Sequence, residues 1–176
     1  MRKITLFFAT ALLSVLSLTS TAGDKVNSHT EDVISYLDNQ LLARDQLAFE
    51  LAPIKSKSDL DAYLRSTSRS KSPFDILSAY AKSQFINSLI FNKNGLVSFS
   101  YKEIGNELNA KQVYELLSLF GVQRAASLVR NARVDDRTDQ LILSPSMRAP
   151  DDHEGYYCES QHTCSRTTGK ICMSGC

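Results

Sequence analysis

The sequence predicts a mainly α protein, a small bundle of roughly five helices followed by an irregular, disulfide-bonded C-terminal tail. Apolar residues recur at helical spacing through most of the chain, and no long stretch alternates apolar and polar residues as a half-buried strand would. The cysteines are all near the C-terminus, at Cys158, Cys164, Cys172 and Cys176. The chain therefore divides into a helical body and a cysteine-rich tail.

Length and charge bound the possible functions. With 176 residues, 43% of them apolar, the chain is sized for one globular domain with its own core. Its 20 basic and 19 acidic residues give a net charge of +1, which leaves no basic surface for nucleic acid. We therefore expect no nucleic-acid partner, and no motif in the sequence indicates a cofactor.

The first segment, residues 1–22, is typical of a secretory signal peptide. A basic start, Met1-Arg2-Lys3, precedes an apolar run over Ile4–Leu18 that is short for a membrane span. Small residues follow in Ser20-Thr21-Ala22, which predicts cleavage after Ala22. The compact layout is similar to bacterial export signals, so we expect a periplasmic or extracellular protein with no stable membrane insertion after cleavage.

The helical body is predicted to span residues 23–143. Its first helix runs from Glu31 to near Ala52, where Pro53 ends it, and a short second helix opens at Ser58. A third helix begins at Ser72-Pro73, because serine caps free amides and proline suits the first helical position. Its apolar stripe consists of Phe74, Leu77, Ala81, Phe85 and Leu89.

The second half of the body carries the clearest helical signals. The third helix is expected to end at Asn94-Gly95, and capping-box patterns at Ser100–Glu103 and Asn109–Gln112 predict two further helices. A last helix is predicted over Val122–Val129, and Leu141–Leu143 reads as a short strand or extended segment. Residues 144–156 are then expected to form a linker, and residues 157–176 the tail.

No set of residues in the sequence indicates catalysis. The three histidines, His29, His153 and His162, are not accompanied by a nucleophile turn such as Gly-x-Ser-x-Gly. The adjacent carboxylates of Asp135 and Asp136 are better explained as exposed loop acids than as an acid–base pair. We therefore predict a protein that is not an enzyme and has no catalytic residues.

The four cysteines allow three interpretations. Behind an export signal, an even number of cysteines is typical of disulfides, and four cysteines allow three pairings that the sequence does not distinguish. A zinc site or redox-active thiols would more often show a Cys-x-x-Cys spacing, whereas the intervals here hold five, seven and three residues. The sequence therefore favours two disulfides and no metal site.

Two functions follow from this organisation. The first is an exported, non-enzymatic protein with a binding or structural role toward a protein or envelope partner, in which the disulfide-bonded tail packs back on the body. The alternative is the precursor of a cysteine-rich secreted peptide, with the helical region as leader or self-protection domain. The order of parts in that alternative resembles fulvocin-related bacteriocin precursors, although the cysteine spacing identifies no family.

Overall fold

The computed structural model describes residues 22–66, 72–145 and 151–176. The predicted signal peptide, apart from Ala22, and most of the predicted loop after Ser66 lie outside these ranges. The chain divides into two units, residues 1–40 and residues 41–176. The second unit contains the sheet, the disulfides and the core described below.

The fold is mixed α/β, so the prediction of a mainly α protein is wrong. In the described residues, a four-stranded antiparallel sheet with the order β1-β2-β4-β3 accompanies the helices. The strands are β1 (Ile90–Asn92), β2 (Gly95–Ser100), β3 (His153–Ser160) and β4 (Thr163–Cys172). The α-helices are α1 (Ala22–Leu51), α2 (Lys57–Ser66), α3 (Ala79–Ser88), α4 (Lys102–Glu107), α5 (Ala110–Ser118) and α6 (Arg137–Ile142). Two 3₁₀ segments cover Pro73–Ile76 and Gln123–Leu128.

The strands β1 and β2 form a hairpin where the sequence predicted only the end of a helix. Gly95 adopts a φ of 98° directly after the turn, a backbone conformation that glycine takes without a steric penalty. The five residues from Gly95 to Phe99 are all buried, so β2 is covered on both faces. A strand buried on both faces lacks the alternation of apolar and polar residues by which strands are recognised.

The cysteine-rich tail is a long β-hairpin rather than an irregular segment. β3 and β4 pair closely near the turn, where Cys158 lies opposite Cys164, and again farther along, where His153 lies opposite Cys172. Between these points the register shifts around Gly155, which has a φ of 85°. Because β3 and β4 contain many polar residues and a bulge, their sequence lacks the regular alternation of apolar and polar residues that predicts a strand.

Three of the predicted segments differ from the structure in their type or in where a helix begins. The predicted third helix is a 3₁₀ turn and a separate α3, because the Ser78 side chain accepts a hydrogen bond from the Ala81 amide and starts a new helix. The predicted helix over Val122–Val129 is a 3₁₀ segment. The predicted extended segment at Leu141–Leu143 instead falls at the end of α6, which Asp136 opens with a capping box.

The core lies between the sheet and helices α3 and α5. Its centre is a cluster of fully buried phenylalanines whose rings meet mostly edge to face, at centroid distances of 5.9 to 6.2 Å. These residues are Phe74, Phe85, Phe99 and Phe120. Each comes from a different element or its end, so the cluster joins α3, α5, β2 and the first 3₁₀ segment.

The tail hairpin is bonded into this core through β4. Phe99 pairs with Ile171, the Ser98 hydroxyl donates to the Ile171 carbonyl at 2.7 Å, and the Met173 amide donates to the Val97 carbonyl at 2.9 Å. Ile171 is fully buried and Met173 is 4% exposed. The C-terminal strand therefore completes the main hydrophobic core instead of lying on its surface.

Candidate functional site

Two disulfides, Cys158–Cys176 and Cys164–Cys172, use all four cysteines. The prediction of disulfides in the tail is confirmed, and the structure adds the pairing. The Cys164–Cys172 bridge links two residues of β4 on either side of its bulge, and the Cys158–Cys176 bridge ties the end of the chain to β3. The bridges therefore fix the hairpin's irregular register.

The two bridges lie against each other in a small second cluster. The sulfur atoms of Cys158, Cys172 and Cys176 all lie within 4.8 Å of one another, and all three residues are buried beside Val97. Cys164 lies outside this group of three sulfurs and is only partly buried. A sulfur in a disulfide is not a thiolate, so these cysteines are not available as thiolate ligands while the bridges are intact.

A cleft of about 660 Å³ opens between the start of β3 and the segment that follows the second 3₁₀ turn. Its polar side chains come from both sides: Arg130, Asn131, Asp152, His153, Glu154 and Tyr156. Gly105 in α4 brings this segment close, because a Cβ atom there would lie 2.2 Å from the Arg130 carbonyl oxygen. Only glycine fits at that contact, so α4 sets the position of Arg130.

The carboxylate of Glu154 holds one wall of the cleft in place. It accepts hydrogen bonds from the Tyr101 hydroxyl and from the Arg130 guanidinium. Burial, together with the bond to Glu154, raises the pKa of Tyr101 to about 12. Since Tyr101 directly precedes α4 and Glu154 lies on β3, this network joins the hairpin to the body at the cleft.

Asp152 is a second carboxylate of the cleft, and no cationic side chain of the described residues forms an ion pair with it. Its Oδ1 atom accepts a hydrogen bond from the Ser174 amide at 3.0 Å. Burial raises the pKa of Asp152 to about 6, against the lowering effect of that hydrogen bond and of the Arg124 charge. A carboxyl group with a raised pKa in a cleft is a candidate contact for a ligand.

Aromatic and basic side chains continue from the cleft along the hairpin. The rings of His153 and Tyr156 meet edge to face at 6.1 Å, and the Arg166 guanidinium lies 5.9 Å from the Tyr156 ring centroid. On the hairpin, Lys170 lies 5.2 Å from the Tyr157 ring centroid. Tyr156, which lines the cleft, therefore has an aromatic ring and a guanidinium beside it, a set that suits contact with a polar partner, whereas the Tyr157–Lys170 pair is not part of the cleft.

The other sequence candidates have structural roles. Asp136 caps α6, and Asp135 accepts a hydrogen bond from the Asn109 side chain at 2.9 Å. Three arginines in and after the second 3₁₀ segment have partners: Arg124 pairs with Asp45, Arg130 with Glu154, and Arg133 donates to the Glu107 carbonyl. In the described residues, neither the His153 nor the His162 imidazole hydrogen-bonds a serine or cysteine side chain.

Sequence reasoning missed the cleft because its residues form no local motif. Glu154 is 24 residues from Arg130 and 53 from Tyr101. Residues that far apart meet only through the β2–β4 pairing, which was not predicted. The one local signal was the acidic group Asp151-Asp152 beside His153 and Glu154, in the predicted linker just before the tail.

No protein-family model, no curated protein and no solved structure matches the chain at a significant level. Among the helices that the structure describes, none combines the length and the apolar character needed to cross a membrane.

Proposed function

We propose that the protein is an exported, non-enzymatic binding protein that contacts its partner through the cleft beside Glu154. The observation that carries this proposal is the place of the tail: β4 pairs with β2, and Ile171 is fully buried in the main core. A segment that completes the core is costly to release, because its removal exposes apolar surface. This burial favours the role of a permanent binding element over that of a released peptide.

The two disulfides support the exported part of the proposal. Disulfides form and persist in oxidising compartments such as the periplasm and the extracellular medium. The basic start and apolar run of residues 1–22 give the same expectation from the sequence.

The non-enzymatic part rests on the chemistry of the cleft. The carboxylate of Glu154 is occupied by Tyr101 and Arg130, and His153 has no serine or cysteine partner within the described ranges. In a triad-type site, the serine or cysteine nucleophile is activated by an adjacent base that a third group holds in place. The cleft offers instead a carboxyl group, an arginine and two aromatic rings, a set that suits recognition of a polar partner.

Intact mass spectrometry of the exported protein tests export and retention of the tail together. We expect one species, residues 23–176, about 4 Da lighter than its reduced form because each bridge removes two hydrogens. A separate fragment starting between Pro150 and Tyr157 would support the precursor alternative instead.

Site-specific photo-crosslinking tests the binding surface. A photoreactive amino acid at the exposed Asn131, on the cleft, should give a crosslinked product in cells that export the protein. The matched control places the same amino acid at the exposed Ser83 on α3, which is not part of the cleft. Equal crosslinking at both positions, or none at Asn131, would contradict the proposed surface.

A further inference from the structure

The arrangement of the two disulfides suggests a second property, which is independent of the ligand of the cleft. The Cys172 sulfur lies within 4.8 Å of both sulfurs of the other bridge, Cys158–Cys176. Cys172 is fully buried, whereas its partner Cys164 is partly exposed. The Cys164 end of the Cys164–Cys172 bridge is therefore accessible from solvent. Its Cys172 end lies within 4.8 Å of both sulfurs of the Cys158–Cys176 bridge.

This asymmetry matters because disulfides exchange by attack of a thiolate on one sulfur of the bridge. The attacked sulfur enters the new disulfide, and the other sulfur leaves as a thiolate. An external thiol can approach Cys164 more readily than the buried sulfurs. Attack at Cys164 would release the thiolate of Cys172, which already lies beside the Cys158–Cys176 bridge.

We propose that the tail is a thiol–disulfide exchange site in which Cys164 receives the external thiol and Cys172 passes the exchange to the buried bridge. A low-molecular-weight thiolate bonds to the Cys164 sulfur, and the Cys164–Cys172 bond breaks. The Cys172 thiolate then bonds to Cys158 or Cys176, and the bond between those two breaks. Two disulfide bonds are broken and two are formed. The incoming thiolate is consumed and one protein thiolate, that of Cys176 or Cys158, is released, so there is no net oxidation or reduction.

The exchange changes the anchoring of the C-terminus. Attack on Cys158 expels Cys176, whose carbonyl accepts a hydrogen bond from the His162 amide at the hairpin turn. Both the bridge to β3 and the cluster beside Val97 would then be rearranged. The substrate class is thiols, either of small molecules or of another exported protein.

Two single-cysteine variants separate this proposal from a purely structural role. Cys164→Ser leaves Cys172 as a free thiol inside the sulfur cluster, whereas Cys172→Ser leaves Cys164 free outside it. Both variants lose the same bridge, so they are matched in cross-linking. Each is incubated above neutral pH, quenched with acid, labelled with a maleimide and mapped by peptide mass spectrometry.

In Cys164→Ser we expect label on Cys158 or Cys176 together with a new bridge to Cys172. In Cys172→Ser we expect label on Cys164 alone. Exchange should slow in mildly acidic solution, because the thiolate is the attacking species. Label confined to Cys172 in the first variant, or equal rearrangement in both variants, would overturn the proposal.

The unmodified protein provides a second test if either variant fails to fold. Treatment with a limiting amount of glutathione, followed by acid quench and mapping, should yield a glutathione adduct at Cys164 and bridges between Cys172 and Cys158 or Cys176. An adduct at Cys164 with the Cys158–Cys176 bridge unchanged in every molecule would show that no exchange passes between the bridges.

Discussion

Ile171 lies directly opposite Phe99 in the sheet, and neither side chain has any solvent exposure. One residue comes from the body and the other from the cysteine-rich tail, so the two parts share one core. Removal of the tail would leave the Phe99 side of the core uncovered.

The first prediction concerns this pair. We expect Ile171→Ala to lower the free energy of unfolding by about 2–5 kcal/mol, because it removes a buried side chain and leaves a cavity. Urea unfolding followed by circular dichroism measures the change. The control is Thr168→Ala at an exposed position of the same strand, which should cost far less. Equal effects would show that β4 does not contribute to the core.

The second prediction concerns the phenylalanine cluster. Phe120 is fully buried and meets Phe74 and Phe85 edge to face. Phe120→Ala should cost about 3–5 kcal/mol in unfolding free energy. The control is Ile76→Ala, which also removes an apolar side chain but at a residue that is 48% exposed, and it should cost far less. An unchanged melting temperature of Phe120→Ala would contradict the position of α5 over the core.

The third prediction concerns alkaline stability. The pKa of Tyr101 is raised from 10.0 to about 12 by burial and by its bond to Glu154. A raised pKa means that the protonated form is favoured in the folded state. The stability contribution is therefore present below pH 10 and lost as the pH rises through 12, by up to about 3 kcal/mol.

Tyr101→Phe should remove that part of the pH dependence. The free energy of unfolding of this variant, measured by urea titration at a series of alkaline pH values, should fall less steeply than that of the unmodified protein. Tyr80→Phe is the control, because the Tyr80 side chain is 67% exposed. Parallel curves for Tyr101→Phe and the unmodified protein would show that the titration of Tyr101 is not the cause of the alkaline loss of stability.

The fourth prediction concerns Asp152. Burial raises its pKa to about 6 from 3.8, so its ionisation opposes folding. The stabilising effect of protonation is complete below pH 3.8 and is lost as the pH rises through 6. Asp152→Asn should therefore stabilise the protein above pH 6, by at most about 3 kcal/mol, and have little effect in strong acid.

The exposed neighbour provides the comparison for this variant. Asp151→Asn removes the same charge from a solvated position and should change stability little at either pH. A stabilisation by Asp152→Asn that is the same at acidic and neutral pH would show that the effect does not arise from the titration of Asp152.

Several features of this fold could be predicted because their determinants are local. The capping box of Asn109 and Gln112 forms as expected at the start of α5. Ser72 caps the turn at Pro73, although that turn is 3₁₀ rather than α-helical. The four cysteines predicted disulfides because the expectation needs only their number and the export signal.

The sheet and the cleft could not be predicted because their determinants are distant in the sequence. β2 is buried because residues far along the chain surround it: β4, more than 70 residues later, pairs with its edge, and the buried cysteines pack against Val97. The pairing of the cysteines follows from the bulge in β4, which sequence spacing does not reveal. The cleft depends on both, since Glu154 reaches Arg130 only when the hairpin is in place.

The irregular register around Gly155 also affects how the protein behaves at high concentration. β3 is an outer strand of the sheet, so one of its edges has no neighbouring strand in the described residues. A long regular edge would be a template for strand addition and aggregation, and bulges are one way in which proteins prevent it. The register of β3 shifts between Glu154 and Tyr156 and again between Cys158 and Ser160. We therefore expect the same distortions that the disulfides hold in place to disfavour the addition of another molecule's strand at this edge.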